Sequence, residues 1–254
     1  TQLGINAIPL SSAGRNFVDQ YKGHLIDLGI NIDFIEVDED VASCASCMMI
    51  NDAHGNQVIG FYPGPDNPRR QSPETLPFIH NIALAILGPE EPELTLRQGR
   101  VLFQHNVPLI VDPGQVISAF SRSQVRELLS LARYLVINHH EFEVLKTNGG
   151  VTDEEVFEQV PEVALTHGDK GVAIYSREGI CHVDAVPDVK VNEVTGCGDA
   201  FRAGYAYGIL NKLNLKERGQ VGCIMAARNL ENPETQRYRI SAAELAILRT
   251  TIYE

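Results

Sequence analysis

The stretch Glu193–Gly204, which reads EVTGCGDAFRAG, constrains this chain more than any other. It follows an extended run, and apolar residues then recur at helical spacing, so a helix is predicted to start at about Gly198. The glycines on both sides of Cys197 allow the backbone to come close to a ligand. The free N–H groups and the positive dipole end of a helix start form an anion site.

Asp199 lies in the first turn of this predicted helix. A carboxylate there partly opposes anion binding, so its position indicates chemistry, such as taking a proton from a hydroxyl beside a phosphate cradle. The alternative is a glycine-rich turn in which Asp199 only caps the helix. No Lys-Ser/Thr pair and no third glycine follow, which excludes a P-loop and a dinucleotide-binding fingerprint. A thiol at a helix start is expected to have a lowered pKa, and Cys197 is in that position.

The longer string resembles the C-terminal signature of the ribokinase-like (phosphofructokinase B) kinase family, D-T-x-G-A-G-D-A-F-x-A-G. The matching residues are Thr195, Gly196, Gly198, Asp199, Ala200, Phe201, Ala203 and Gly204. Glu193, Val194 and Cys197 depart from the usual form. Arg202 and the segment 56–64 are similar to bacterial adenosine-kinase-like members of the family.

The resemblance implies a three-layer α/β/α fold with a mostly parallel central sheet and a small β-sheet lid. It implies ATP-dependent phosphorylation of a primary hydroxyl on an adenosine-like nucleoside or a sugar. Asp199 is then the general base, and the backbone N–H groups of Gly196, Cys197 and Gly198 hold the charge that develops on the phosphoryl oxygens. A hexose, pentose or sugar-phosphate kinase, or a catalytically silent nucleotide- or sugar-binding protein on the same fold, remain alternatives.

A family motif, Asn-x-x-Glu, is matched by Asn138 and Glu141. Its implied role is to hold water-coordinated Mg²⁺ against the ATP phosphates, which suits an oxygen-preferring ion. A plain helix N-cap by Asn138 is the structural alternative and is compatible with that role. A transition-metal site at His139 and His140 is disfavoured, because neighbouring residues on a helix do not converge.

The family's T-x-G-x-x-G turn, which borders the nucleotide, is matched by Thr166, Gly168 and Gly171. As structure, the same residues predict a turn into the next strand. Thr195 completes the residues expected to bind ATP. Many family members also hold a monovalent cation such as K⁺ beside the anion loop, where this chain has Glu193 instead of Asp.

Strands alternate with helices along most of the chain, which indicates an α/β layered fold. The lid is predicted at 32–64, as one small sheet of three strands, and the nucleotide-binding core at 1–31 and 65–254. The predicted segments include strands Ile32–Val37, Ala42–Ile50 and Gln57–Tyr62, a turn at Asn51–Asn56, a helix at Asn16–Leu28 and two strands within Gly179–Val191. Phe61 and Tyr62 either pack within the lid or contact the substrate, and a homodimer is expected to form through the lid.

The family's first sheet strand and its Gly-Gly-Asn-type sugar-binding motif have no match in this chain. We therefore expect that segment to be missing, which leaves the acceptor undefined.

Charge and cysteine content limit the partners and the compartment. The net charge is −12, and the pI is about 5.1, which disfavours nucleic acid and anionic membranes as partners. The sequence shows no membrane-length apolar run and no signal peptide. The 5 cysteines are scattered and odd in number, which predicts reduced thiols in the cytoplasm. Cys44 and Cys47 form a lone CxxC that favours packing thiols over a metal site.

Overall fold

The computed structural model describes residues 1–51, 57–65 and 72–253. The chain divides into two compact units, Thr1–Thr75 and Leu76–Glu254. The predicted turn at Asn51–Asn56 lies almost wholly outside the described residues.

The first unit contains two separate two-stranded sheets. Its elements are β1 (Ser11–Gly14), α1 (Phe17–Gln20), α2 (Lys22–Asp27), β2 (Ile35–Asp38), β3 (Ser46–Asn51) and β4 (Gln57–Tyr62). β1 and β2 pair in parallel, whereas β3 and β4 form an antiparallel ribbon.

The prediction of one three-stranded lid sheet is therefore wrong in its pairing. β2 pairs with β1 and not with the ribbon, because the helical segment between β1 and β2 provides the crossover that a parallel pair requires. The helix predicted at Asn16–Leu28 is also divided, at Tyr21, whose φ of −121° departs from helical geometry.

The second unit is built on a six-stranded sheet in the described residues, with strand order β10-β9-β8-β7-β6-β5. Its strands are β5 (Ala85–Leu87), β6 (Leu109–Val111), β7 (Tyr134–Asn138), β8 (Glu162–Thr166), β9 (Val172–Ser176) and β10 (Gly179–Val183). β5 to β8 are parallel, and β9 and β10 are antiparallel additions. One strand, not the predicted two, lies within Gly179–Val191.

Helices cover both faces of this sheet. They are α3 (Pro92–Gln104), α4 (Arg122–Leu131), α5 (His139–Gly149), α6 (Asp153–Gln159), α7 (Cys197–Leu210), α8 (Leu215–Leu230) and α9 (Ala242–Tyr253). Leu109 and Val111 of β6 belong to one hydrophobic cluster with α3 to α6. Ile110 between them belongs to the other cluster, with α7 and α8. This alternation follows from the two-residue period of a strand covered on both sides, and it confirms the expected three-layer α/β/α fold.

The parallel strands bring three polar residues to one edge of the sheet. Asp112 follows β6, Asn138 ends β7 and Thr166 ends β8. This is the edge at which open α/β sheets bind ligands. No helix in the described ranges is long and apolar enough to cross a membrane.

Candidate active site

The start of α7 presents backbone N–H groups at its N-terminus. Gly196 is the N-cap in the left-handed conformation, with φ of 78°, and the first helical bond runs from the Ala200 N–H to the Gly196 carbonyl at 2.9 Å. The N–H groups of Gly198 and Asp199 find no acceptor among the residues that the structure describes. The Cys197 N–H instead donates to the Val194 carbonyl at 3.2 Å, so it must leave this bond to hold a ligand.

Side chains fix the loop that precedes α7. Glu193 Oε1 accepts hydrogen bonds from the Thr195 N–H at 2.8 Å and the Thr195 hydroxyl at 2.7 Å. These bonds hold the pKa of the Glu193 carboxyl below its usual value. From α8, the buried Asn229 donates its Nδ2 to the Thr195 carbonyl at 2.8 Å. Glu193, a departure from the family signature, is thus part of the loop's own hydrogen bonding.

Open space lies in front of this helix start. No described heavy atom from elsewhere in the chain lies within 4 Å of where a Cβ on Gly198 would be. The φ of Gly198 is not positive either, so neither packing nor backbone conformation explains a glycine here. A ligand that approaches the N-terminus of α7 closely would explain it.

Arg202 joins the first turn of α7 to the end of β6. Its Nη2 donates to Asp199 Oδ1 and its Nη1 donates to Asp112 Oδ2. Arg202 and Asp112 are largely buried, whereas the Asp199 side chain is 72% exposed. Asp199 Oδ2 has no hydrogen-bond partner in the described part of the chain, so it is available to a substrate.

Carboxylates accumulate at this edge of the sheet. Burial raises the pKa of Asp112 to about 6, against the opposing effect of Arg202, and the negative charges of Glu141 and Asp199 add to the rise. A divalent cation or an additional positive group would relieve this repulsion.

Asn138 and Glu141 form a capping box at the start of α5. Asn138 Oδ1 accepts from the Glu141 N–H at 2.9 Å, and Glu141 Oε2 accepts from the Asn138 N–H at 3.2 Å. The structural alternative for Asn138 is therefore confirmed. Within residues 1–51, 57–65 and 72–253, no cluster of three or more His, Cys, Asp or Glu side chains could hold a metal ion. Mg²⁺ commonly uses one or two carboxylates together with waters and substrate phosphates, and Glu141 beside Asp112 fits that pattern.

The predicted nucleotide turn follows β8. Thr166 pairs in register with Asn138 of β7, so the two motifs are neighbours on the sheet edge. Gly168 begins a turn of 3₁₀ helix. Gly171 has a φ of 87°, and a Cβ there would lie 2.1 Å from the Val183 carbonyl oxygen. Gly171 is thus required by the approach of β10, whatever the nucleotide requires.

The segment after α8 lies beside the loop that precedes α7. A cavity of about 360 Å³ is lined by Glu193, Thr195, Pro233, Glu234 and Thr235. Burial raises the pKa of the Tyr238 hydroxyl, with smaller contributions from the Asp199 and Cys197 charges, so Tyr238 is also near the start of α7.

The pKa of the Cys197 thiol differs from the one predicted from the sequence. Burial raises its pKa, so the predicted lowering is wrong. The side chain leaves solvent at this position, and the cost of burying a thiolate governs its ionisation.

The second unit thus brings together Asp199, the glycine amides, Asn138, Glu141 and the Thr166–Gly171 turn at one edge. Phe61 and Tyr62 lie on β4 of the first unit and are exposed. Sequence reasoning did not assign site roles to Asp112, Arg202 or Asn229. The position of Asp112 directly after a buried strand was the available signal for one of them.

Comparison with known proteins identifies relatives over nearly the whole chain. A nucleoside kinase from Methanocaldococcus jannaschii is 26% identical over 227 residues, which are 89% of this chain and 74% of that protein. The structure of Burkholderia thailandensis nucleoside kinase in complex with inosine superposes with a TM-score of 0.91 at 28% identity, covering 99% of this chain and 84% of that one. The same Burkholderia enzyme in complex with ADP-inosine gives a TM-score of 0.90 at 28% identity, covering 99% and 78%.

A family profile described as "pfkB family carbohydrate kinase" matches residues 1–241. The resemblance found in the signature around Asp199 is thereby confirmed, and so is the expectation of a kinase. The chain belongs to the pfkB family of carbohydrate kinases.

Proposed function

We propose that this chain is an ATP-dependent nucleoside kinase that phosphorylates a primary hydroxyl. The observation that carries the proposal is the start of α7, where the exposed Asp199 carboxylate lies beside free N–H groups and open space. The relatives that are nucleoside kinases, one of them solved with inosine, support a purine nucleoside as the acceptor. The resemblance of segment 56–64 to adenosine-kinase-like members adds adenosine as a candidate.

In the proposed reaction, Asp199 acts as the general base. Its Oδ2 accepts the proton of the acceptor hydroxyl as the hydroxyl oxygen bonds to the terminal phosphorus of ATP. The bond from that phosphorus to the bridging oxygen breaks, and ADP leaves. Because the transition state of phosphoryl transfer is loose, the base mainly has to orient the hydroxyl and take the proton late.

The amides at the start of α7 stabilise the charge on the phosphoryl oxygens. From the sequence, this role was assigned to the backbone N–H groups of Gly196, Cys197 and Gly198. The hydrogen bonding supports Gly196 and Gly198 and adds the N–H of Asp199, because none of these three N–H groups has an acceptor among the described residues. The positive end of the α7 dipole contributes in the same direction.

Mg²⁺ would be held through Glu141 and Asn138, with Asp112 nearby. When bound, it supplies positive charge against the ATP phosphates. The capping box keeps the Asn138 and Glu141 side chains in place at the sheet edge while Glu141 Oε1 remains available.

Thr166, Gly168, Gly171 and Thr195 are proposed to border the nucleotide. A monovalent cation such as K⁺ is proposed for the cavity lined by Glu193, Thr195 and residues 233–235. Its carboxylate and hydroxyl oxygens are the kind of ligand that hard cations prefer.

The β3–β4 ribbon is proposed as the lid, with either Phe61 or Tyr62 stacking on the nucleoside base, since only one face of the ribbon can meet it. Phe61 and Tyr62 alternate along β4 and so face opposite sides of the ribbon. Met48 and Ile50 of β3 are exposed on the Tyr62 side. Apolar side chains on both faces fit a ribbon that meets substrate with one face and a second copy of the chain with the other, which supports the proposed homodimer.

A reducing compartment is proposed as well. All five cysteines are free thiols in the structure, which supports a cytoplasmic site of action.

The test is ATP consumption with Mg²⁺ against adenosine, inosine, other nucleosides, ribose and fructose 6-phosphate. The proposal predicts turnover with a purine nucleoside and little with the sugars. Preferential turnover with a sugar would instead establish the alternative that the family description favours, a carbohydrate kinase. ATP binding without turnover on any acceptor would point to a silent binding protein.

A further inference from the structure

We propose that Arg202 is a positioning residue that holds the Asp199 carboxylate for proton transfer, and that Asp112 holds Arg202 in turn. The inference rests on the proposed function, because it assigns Arg202 a part in that reaction. It adds two residues, Arg202 and Asp112, which lie 90 positions apart in the chain.

The contacts form a continuous path from the backbone to the proposed base. The Gly114 N–H donates to Asp112 Oδ1 at 3.0 Å, Arg202 Nη1 donates to Asp112 Oδ2, and Arg202 Nη2 donates to Asp199 Oδ1. One end of the path is therefore fixed to the turn after β6, and the other end is the side chain that meets the substrate.

The two carboxylates differ in what restrains them. The Asp112 side chain is 14% exposed and the Arg202 side chain 11%, whereas Asp199 is 72% exposed. Packing therefore restrains Asp112 and Arg202 but not Asp199. The hydrogen bond from Arg202 is the contact that selects one orientation of Asp199, and it leaves Oδ2 free for the acceptor hydroxyl.

The guanidinium group is required for this arrangement. Arginine presents its N–H donors in a planar fork, so two of its nitrogens can serve two carboxylates at fixed directions, whereas a lysine ammonium is a single point of charge. A lysine at position 202 would keep the positive charge but would not hold both carboxylates in this geometry.

A purely structural role is the competing explanation. Arg202 could stabilise the contact between β6 and α7 without influencing Asp199. The two explanations differ in one respect, because positioning of Asp199 has no effect on turnover once the Asp199 carboxylate has been removed.

The experiment measures kcat, KM and the Kd for ATP of Arg202→Lys and Asp112→Asn, each in the wild-type and the Asp199→Asn background. Arg202→Lys is expected to lower kcat by about 10²-fold, the order expected for misplacing a catalytic group, with KM and Kd nearly unchanged. In the Asp199→Asn background it is expected to lower kcat by less than about twofold further. Asp112→Asn is also expected to lower kcat. The double variant Asp112→Asn with Arg202→Lys is expected to have a kcat no lower than that of Arg202→Lys alone.

Arg100→Lys is the matched control. Arg100 makes a similar forked contact, from Nε and Nη2 to the two oxygens of Glu127 at 2.5 and 2.9 Å. It joins α3 to α4 on the opposite face of the sheet from α7, so its kcat should equal that of the wild type.

Equal losses from Arg202→Lys in both backgrounds, or an unchanged kcat in the wild-type background, would overturn the inference. If circular dichroism shows that Arg202→Lys does not fold, the loss of kcat caused by Asp112→Asn is compared between the wild-type and Asp199→Asn backgrounds instead, with the same criterion. Absence of turnover in the wild type would overturn the proposed function itself, together with this inference, and is seen before any variant is measured.

Discussion

At Gly198 we expect folding to tolerate an alanine and the proposed reaction not to tolerate it. Its surroundings are open and its φ is not positive, so Gly198→Ala should leave the free energy of unfolding unchanged or raise it by about 0.5–1 kcal/mol, since alanine favours a helix. Turnover should fall, because the added methyl group occupies the approach to the α7 amides. Chemical denaturation and steady-state kinetics measure the two effects.

Gly196→Ala is the matched comparison for that prediction. Its φ of 78° makes any Cβ unfavourable, so this variant should lose about 1–2 kcal/mol of stability as well as turnover. Full activity in Gly198→Ala would show that no ligand approaches the start of α7 closely.

Because the pKa of Asp112 is raised in the folded protein, Asp112 makes the free energy of unfolding depend on pH. Its carboxyl has a pKa of about 6 in the folded protein, against 3.8 for an aspartate free of such surroundings. Between these values the folded state binds the extra proton, so this contribution falls as pH rises from about 4 to about 6 and is constant above. The stability of the wild type minus that of Asp112→Asn should therefore fall by roughly 2 kcal/mol between pH 4 and pH 8. Denaturation of both proteins between pH 4 and 8 measures it, and a difference independent of pH would contradict it.

At the scale of elements, the crossing of α7 and α8 depends on small residues. A Cβ on Gly204 would lie 2.8 Å from the Val221 carbonyl oxygen and 3.0 Å from the Gly222 Cα. Gly204→Ala should therefore lower the free energy of unfolding by about 1–3 kcal/mol through overpacking. Denaturant unfolding checks this value.

The control for the crossing is Gly23→Ala in α2. Gly23 is helical but has nothing within 4 Å of its would-be Cβ among described atoms, so the same substitution should not destabilise the protein. Equal effects of the two substitutions would show that the loss at Gly204 does not come from the helix crossing.

The elements themselves show what could be predicted from sequence. The strand Gln57–Tyr62 and the signature helix after Gly196 were predicted because their patterns are local. The pairing of β2 was not, because three nearby strand patterns do not specify which of them pair. The contact of Arg202 with Asp112 was missed for the same reason, since the two residues are 90 positions apart and meet only when α7 packs on the sheet.

At the scale of the whole molecule, the two units differ in how much core they have. Among the described residues of the first unit, the buried apolar side chains are few, namely Ala13, Phe17, Pro65 and Pro73. The strands β6 to β8 of the second unit, by contrast, are almost completely buried. Isolated two-stranded ribbons are marginal in water.

Amide hydrogen exchange should therefore be faster in the β3–β4 ribbon than in β6 to β8 by several orders of magnitude. Under the proposed lid role, a purine nucleoside together with a non-hydrolysable ATP analogue should slow exchange in the ribbon. The central strands provide the internal control. Equal protection of the ribbon and the central strands without ligand would contradict this description of the first unit.

The most direct test of Asp199 as the base compares the wild type with Asp199→Asn, using a purine nucleoside, ATP and Mg²⁺, and measures both kcat and the Kd for ATP. If Asp199 is the base, kcat falls by about 10²–10⁴-fold, the contribution of a positioned base, while the Kd for ATP changes by no more than a few-fold. Full turnover in Asp199→Asn would contradict the assignment of Asp199 as the base on which the proposed mechanism rests.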